Sequence, residues 1–582
     1  MIMDNDILVE LNDFGFQYNA QTRPTLFNIN LKLRRGERIL IAGPSGSGKS
    51  TLVHCINGLI PFSYKGEMTG SLKIKGKESK RSSLFEISHT VGTVLQDSDA
   101  QFVGMTVAED IAFALENDCV GEPQLHERVR KAAEMVDIGG YLKHAPGELS
   151  GGQKQRVSVA GVLVDDVDVL IFDEPLANLD PATGKQAIEL IAKMQEQTGA
   201  AVIIVEHRLE DVLHRSVDRI VLMQEGRIKA DMSADELLSG VLLSECGIRE
   251  PLYITALKYA GVDITPKKQP ASIRTIVLDE ADKKRVREWY ENTGASDHGL
   301  TGELVRIEGL DFTYESGKVH ALKDISVSFA EGEMTAIVGT NGAGKSTFAK
   351  VICGFEKESG GAIYYRGNDI SDLTIKERAE KIGYVMQNPN QMISKVLIYD
   401  EVALGLRNRG VPESEIEERV ETALRICGLW RMRKWPVSAL SYGQKKRVTI
   451  ASILTLEPEI IILDEPTAGQ DYRHYTEIME FLTKLNKIGM TVIMVTHDMH
   501  LMLEYADRAV VFSKGRIIAD DKCYNILTDK EIIREASLKE TSLYELALKC
   551  GIDDGTDFVR HFIDFERKNV RISDPGPEGV YD

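Results

Sequence analysis

The 582-residue chain carries 70 Lys and Arg against 89 Asp and Glu, a net charge of −19, with an ordinary apolar share of 43%. That length exceeds one core and suggests about three or four domains, while the acidic balance argues against nonspecific nucleic-acid binding, which demands a basic surface. Seven scattered cysteines (Cys55, Cys119, Cys246, Cys353, Cys427, Cys523, Cys550) include no C-x-x-C pair and read as small apolar residues in a reducing compartment.

The N-terminus lacks the basic and apolar regions of a secretory signal. A β-rich opening carries Phe16 and Tyr18, and an apolar strand over Arg38–Ala42 follows. Directly after it stand Gly43, Pro44, Ser45, Gly46, Ser47, Gly48, Lys49, Ser50 and Thr51, a G-x-x-x-x-G-K-S loop leading into a helical stretch. Small residues let backbone N–H groups curl around phosphate oxygens, and the helix N-terminus adds a favourable dipole. Lys49 is placed to reach the β/γ-phosphates and Ser50 to ligate Mg²⁺. The middle segment is helical, as over Leu125–Val136. Ser150, Gly151, Gly152 and Gln153 then precede a basic helix and form a second anion cradle. The strand Val169–Phe172 ends in Asp173 and Glu174. An aspartate there can hold Mg²⁺, and the next glutamate can position or deprotonate an attacking water. A helix after Pro181, a strand over Ala201–Val205 ending before His207, and a strand over Ile220–Met223 complete the module. Strands separated by crossover helices imply a mainly parallel sheet covered on both faces.

The same module is then written again. Gly339, Thr340, Asn341, Gly342, Ala343, Gly344, Lys345, Ser346 and Thr347 repeat the loop after the strand Met334–Val338, and Lys49 and Lys345 lie 296 positions apart. Gln96 pairs with Gln387, Ser150 with Ser441, and Asp173 with Asp464, each 291 apart; His207 and His497 are 290 apart. A near-constant offset of this kind marks a duplicated domain. The expected organisation is a first module over 1–264, a linker over 265–302 with a short helix at 280–292, a second module over 303–555, and a loosely ordered tail over 556–582. No apolar run approaches the ~18 residues needed to span a bilayer, so any membrane part must be another chain.

P-loop, Gln, L-S-G-G-Q, Asp-Glu and His in this order resemble the ATP-binding cassette (ABC) ATPases, and the likeness covers nearly all of both modules. It implies an α/β fold of tandem P-loop NTPase cassettes, each with a mainly parallel sheet core, a β-rich N-terminal part and a helical subdomain. It also implies an intramolecular cassette pair, each ATP held between one P-loop and the other module's signature motif. The Lys345 site would then use Ser150, Gly151, Gly152 and Gln153. The Lys49 site would use Ser441, Gly443 and Gln444, with Tyr442 in place of a glycine, so two hydrolytic sites of unequal rate are expected. By the same likeness Glu174 and Glu465 are catalytic, His207 and His497 are switch histidines touching the γ-phosphate, and Asp180 and Asp471 are D-loop aspartates. Gln96 and Gln387 are Q-loop residues sensing Mg²⁺, beside Ser50, Asp173, Ser346 and Asp464. Tyr18 and Tyr314 resemble the adenine-stacking aromatic, with core packing as the competing reading.

The stretch from Gln96 to Asn117, echoed by Gln387–Met392 and Glu401–Asn408, is similar to energy-coupling factor (ECF) transporter ATPases. That resemblance implies a subunit at the cytoplasmic face of the cell membrane, peripheral through its partners. Those partners would be a transmembrane coupling subunit and a small substrate-binding membrane subunit, and the cargo a vitamin (a thiamine precursor, for example) or a metal ion. The competing readings are the ATPase of a fused-cassette sugar importer and a soluble tandem-cassette factor acting on ribosomes. The second usually has a long charged helical hairpin between modules, and the linker expected here is about 40 residues.

Overall fold

The computed structural model describes residues 6–95, 101–177, 179–294, 302–314, 319–467 and 470–570. These fall into two compact units that divide between Val286 and Arg287, with Asp471–Arg473 counted in the first. The division lies inside the stretch expected as a linker.

In the first unit, β1 (Ile7–Tyr18), β2 (Leu26–Arg34), β4 (Gly66–Ile74) and β5 (Lys77–Glu78) form an antiparallel sheet in the order β2-β1-β4-β5. Along β2, buried Leu26, Ile29, Leu31 and Leu33 alternate with exposed Asn28, Asn30, Lys32 and Arg34, the pattern of a sheet with one covered face. The central sheet is built from β3 (Arg38–Ala42), β6 (Val91–Val94), β7 (Val169–Asp173), β8 (Ala201–Val205), β9 (Arg219–Gln224) and β10 (Arg227–Met232), in the order β10-β9-β3-β8-β7-β6. All of its pairings are parallel except the edge pair β9–β10. β3 and β8 are buried at every residue, as continuous apolar runs covered on both faces require. The order sets three parallel strands side by side, so the loop after β3 and the residues after β8 and β7 open at one edge. That edge is where open α/β sheets bind ligands.

The second unit repeats this plan. β11 (Glu303–Thr313), β12 (His320–Ala330), β14 (Gly360–Tyr365) and β15 (Asn368–Asp369) make the antiparallel sheet. β13 (Met334–Gly339), β16 (Ile382–Val385), β17 (Ile460–Asp464), β18 (Thr491–Val495), β19 (Arg508–Ser513) and β20 (Arg516–Asp521) make the central one, ordered β16-β17-β18-β13-β19-β20. Helices Val107–Asn117, Glu122–Met135 and Gly151–Leu163 of the first unit match Ile398–Arg407, Glu413–Ile426 and Tyr442–Leu454 of the second. This is the tandem α/β architecture expected from the repeat.

The linker is more structured than a tether. A helix spans Glu280–Asn292. In the first unit Lys268 pairs with buried Asp282, and Tyr253 Oη donates to Pro270 O at 2.6 Å. In the second unit Arg287 donates to Cys550 O at 2.6 Å and Tyr290 Oη donates to Asp557 at 2.7 Å. The expectation of a loosely ordered tail from residue 556 needs correction at its start. A helix covers Gly555–Phe565 and buries Phe558, Val559, Phe562 and Ile563, a spacing that gives one apolar face.

Candidate functional site

Both G-x-x-x-x-G-K-S loops adopt the strand–loop–helix form. A Cβ on Gly43 would fall 2.3 Å from Met223 O, and one on Gly339 2.0 Å from Phe512 O, so only glycine lets each loop leave its strand. Gly48 and Gly344, at φ of 100° and 105°, take the left-handed conformation just before the helices Lys49–Ile56 and Lys345–Ile352. Lys49 is buried, and its Nζ donates to Gly43 O at 2.7 Å and Pro44 O at 2.9 Å. Lys345 does the same with Gly339 O and Thr340 O at 2.8 and 2.9 Å. Burial pushes the Lys49 ammonium below its ordinary range, and the charges of Glu174, Asp173 and Glu206 oppose that shift.

Asp173 and Asp464 end β7 and β17, and burial pushes both carboxyls up. Asp464 accepts from Ser346 Oγ at 3.4 Å and from Tyr384 Oη at 3.0 Å. Glu174 and Glu465 follow at φ of 48° and 46°, a left-handed backbone that costs a non-glycine residue about 1–3 kcal/mol. Their N–H groups donate to Val205 O and Val495 O at 2.9 and 2.8 Å. Burial, then Glu206 and Asp173, push Glu174 up to about 7.

The histidines diverge. His497 Nδ1 lies 2.8 Å from Glu465 Oε1, whereas His207 Nδ1 lies 3.1 Å from Glu206 Oε1. Burial lowers the pKa of His207, and Glu206 opposes this.

Ser150 and Ser441 each cap a helix N-terminus. Ser150 Oγ accepts from Gln153 N at 3.4 Å while Gln153 Oε1 accepts from Ser150 N at 2.9 Å; the Ser441–Gln444 pair repeats this at 3.3 and 3.0 Å. The glutamines expected to touch nucleotide thus complete S-x-x-Q capping boxes, a signal present in the sequence. Gly151 opens its helix, and a Cβ on Gly152 would meet Thr183 at 2.8 Å. Tyr442 turns its hydroxyl to Gln387 O at 3.0 Å. Beside it Lys446, fully buried, donates to Met386 O and Gln387 O at 2.9 and 2.8 Å. Burial pushes Lys446 down to about 8, opposed by Asp464 and Glu465.

Tyr18 shares a hydrogen bond with Thr51 at 3.1 Å and packs edge-on to Phe16; Tyr314 does likewise with Thr347 at 3.0 Å and Phe312. Both rings are half-buried against their units' cores. Asp180 caps the helix Pro181–Thr198 by accepting from Thr183 N at 2.9 Å. Gln96 lies outside the described residues, and Gln387 is exposed. Sequence reasoning gave no individual role to Glu206, beside the switch histidine, or to Lys446, in the basic helix after the second signature motif, and Tyr384 lies outside every motif it used.

Oxygen donors suit Mg²⁺, which proteins hold by one or two side chains together with phosphate oxygens. The Ser346–Asp464 pair fits that donor set, and Ser50 and Asp173 stand at the corresponding positions.

A family model described as ABC transporter matches residues 26–177 and again 322–468. The chain belongs to the ABC transporter family. Its two cassettes bind and hydrolyse ATP, the activity of that family's domains. A second family model, described as ATP-binding cassette cobalt transporter, matches residues 241–312, a stretch that ends within β11. A Clostridium perfringens protein named for ABC transporter ATP binding is 58% identical over 566 residues, 97% of this chain and 99% of that protein. A similarly named Enterococcus faecalis protein is 54% identical over 561 residues, 96% and 99% of the two chains. Among solved structures, cbiO1 from Clostridium perfringens, part of the ABC transporter complex cbiONQ, is 39% identical. That match covers 40% of this chain and 94% of that one, with a TM-score of 0.37. Among the described residues no helix is long and apolar enough to cross a membrane.

Proposed function

We propose that this chain is the ATP-hydrolysing subunit of an ECF-type importer, working at the cytoplasmic face of the membrane with a transmembrane coupling subunit and a small substrate-binding subunit. The observation that carries the reading is the match of residues 241–312 to a cobalt-transporter ATPase segment, beside the ECF-like stretches around residues 96–117 and 387–408. The cargo is a metal ion or a vitamin.

At each site Lys49 or Lys345 leaves its loop carbonyls to meet the β/γ-phosphates, and the loop N–H groups hold their oxygens. Ser50 with Asp173, and Ser346 with Asp464, would hold Mg²⁺, which supplies charge neutralisation on the phosphate oxygens. Glu174 or Glu465 takes the proton of the attacking water as its oxygen bonds to the γ-phosphorus and the bond from that phosphorus to the β-phosphate oxygen breaks, releasing ADP and inorganic phosphate. His207 or His497 donates to a γ-phosphate oxygen, and Tyr18 and Tyr314 stack on adenine. Each ATP is shared with the other cassette's signature motif, so binding favours a closed pair and hydrolysis releases it.

Two experiments test this. A tagged full-length chain is expected to co-purify with an integral membrane protein; co-sedimentation with ribosomes and no membrane partner would overturn the reading. Glu174→Gln and Glu465→Gln are each expected to lower turnover, by unequal amounts. If either left turnover untouched, two-site hydrolysis would fail.

A further inference from the structure

Glu206 makes the two cassettes differ where β8 and β18 end. It is 1% exposed, and its two oxygens are heavily used. Oε1 accepts from His207 N at 2.9 Å and Arg208 N at 3.3 Å, and also meets His207 Nδ1. Oε2 accepts from Leu176 N at 3.3 Å. The Arg208 guanidinium donates in turn to Leu176 O. Leu176, two residues beyond Glu174, is therefore held at both its N–H and its carbonyl by the residues flanking His207. In the second cassette Thr496 and Asp498 take the corresponding places. Thr496 Oγ1 accepts from Asp498 N at 3.0 Å, and Asp498 caps the helix Met499–Tyr505.

A buried carboxylate serving several backbone donors is a firm anchor, because its loss leaves those N–H groups short of an acceptor. An imidazole carries its two nitrogens on different edges, so fixing Nδ1 decides what Nε2 can meet. In the second cassette the carboxylate that fixes Nδ1 belongs to Glu465, the proposed water-activating group. In the first, Glu206 Oε1 stands 3.1 Å from Nδ1, a close contact rather than an aligned hydrogen bond.

We propose that Glu206 is a positioning residue of the first cassette, orienting the His207 ring independently of Glu174 and, with Arg208, strapping the histidine turn to Leu176. Glu465 combines both duties in the second cassette. Removing the Glu174 side chain then leaves His207 in place, and removing Glu465 releases His497.

The test is a swap on the full chain with isotope-labelled histidine, followed by NMR without nucleotide. Thr is the natural resident of the matching position, so Glu206→Thr is suited to keep the fold, and the unaffected histidine resonances report that it does. Glu465→Ala is expected to move the His497 ring signals and Glu174→Ala to leave those of His207 unmoved. In the Glu206→Thr chain, Glu174→Ala is expected to move His207; in the Thr496→Glu chain, Glu465→Ala is expected to lose its effect on His497. Equal responses of His207 and His497 to loss of their glutamates, or an unmoved His207 in Glu206→Thr, would overturn the proposal. A turnover arm rests on the role proposed above for His207. With Glu465→Gln silencing one site, Glu206→Thr is expected to lower kcat about tenfold with KM changed less than about twofold. Glu206→Gln, which keeps the acceptor oxygen, recovers most of the loss. Unchanged kcat in Glu206→Thr, with His207→Ala still costing activity, overturns the assignment. If His207→Ala is equally silent while the NMR shifts occur, the role given to His207 fails and the positioning stands.

Discussion

The Glu174 carboxyl titrates at about 7 in the folded chain against an ordinary value of 4.5. Between those values the folded chain holds a proton that the unfolded chain releases, so stability falls as pH rises through the window, by about 3 kcal/mol in all. Glu174→Gln removes this titration. It is expected to raise the melting temperature of the nucleotide-free protein at pH 8 and to change it little at pH 5; equal shifts at both would refute the electrostatics. Tyr442→Phe deletes one neutral hydrogen bond to Gln387 O, a loss of about 1 kcal/mol. Hydrogen exchange around Met386 and Asn388 is expected to quicken about fivefold, and an unchanged rate would show that Tyr442 does not restrain that loop. The placement of residues at motif spacing, such as Lys49, Asp173 and His497, is legible because glycine pattern and strand context fix where they stand. That of Glu206 and Lys446 is not, since a buried charge inside an otherwise ordinary loop or helix announces itself only through its neighbours. Gln153 carries a second signal, since its S-x-x-Q spacing also marks a helix cap.

Central strands and crossover helices were legible from unbroken apolar runs alternating with helical periodicity. Ile203 on β8 is completely buried between two parallel neighbours. Ile203→Ala is expected to cost about 2–5 kcal/mol, read by denaturant unfolding. The C-terminal helix is hidden in the sequence because its apolar residues stand close to a Pro- and Gly-rich end whose composition favours disorder. Phe562, 2% exposed on that helix, makes the difference measurable. Phe562→Ala is expected to cost about 3–5 kcal/mol, where a loose tail would lose nothing.

For the whole chain, the near-constant offset of about 290 residues disclosed the duplication, since repeated modules must repeat their chemistry. The place where the units divide was less legible, because a charged helix over Glu280–Asn292 reads the same in a tether and in a packed segment. Its packing partners, including Asp282 with Lys268 and Tyr290 with Asp557, depend on distant residues. The charge of −19 predicts that the purified protein passes through heparin at low salt, because counterion release requires a cationic face. Retention that falls steeply with salt would contradict this.

The left-handed backbone at Glu174 and Glu465 has a consequence for anyone evolving this protein in the laboratory. A library screened for heat resistance alone will enrich glycine at these two positions, since glycine relieves about 1 kcal/mol at each. On the role proposed for these glutamates, the survivors will be sturdier and inert. Turnover has to be part of any such selection, or the screen will discard the function it was meant to preserve.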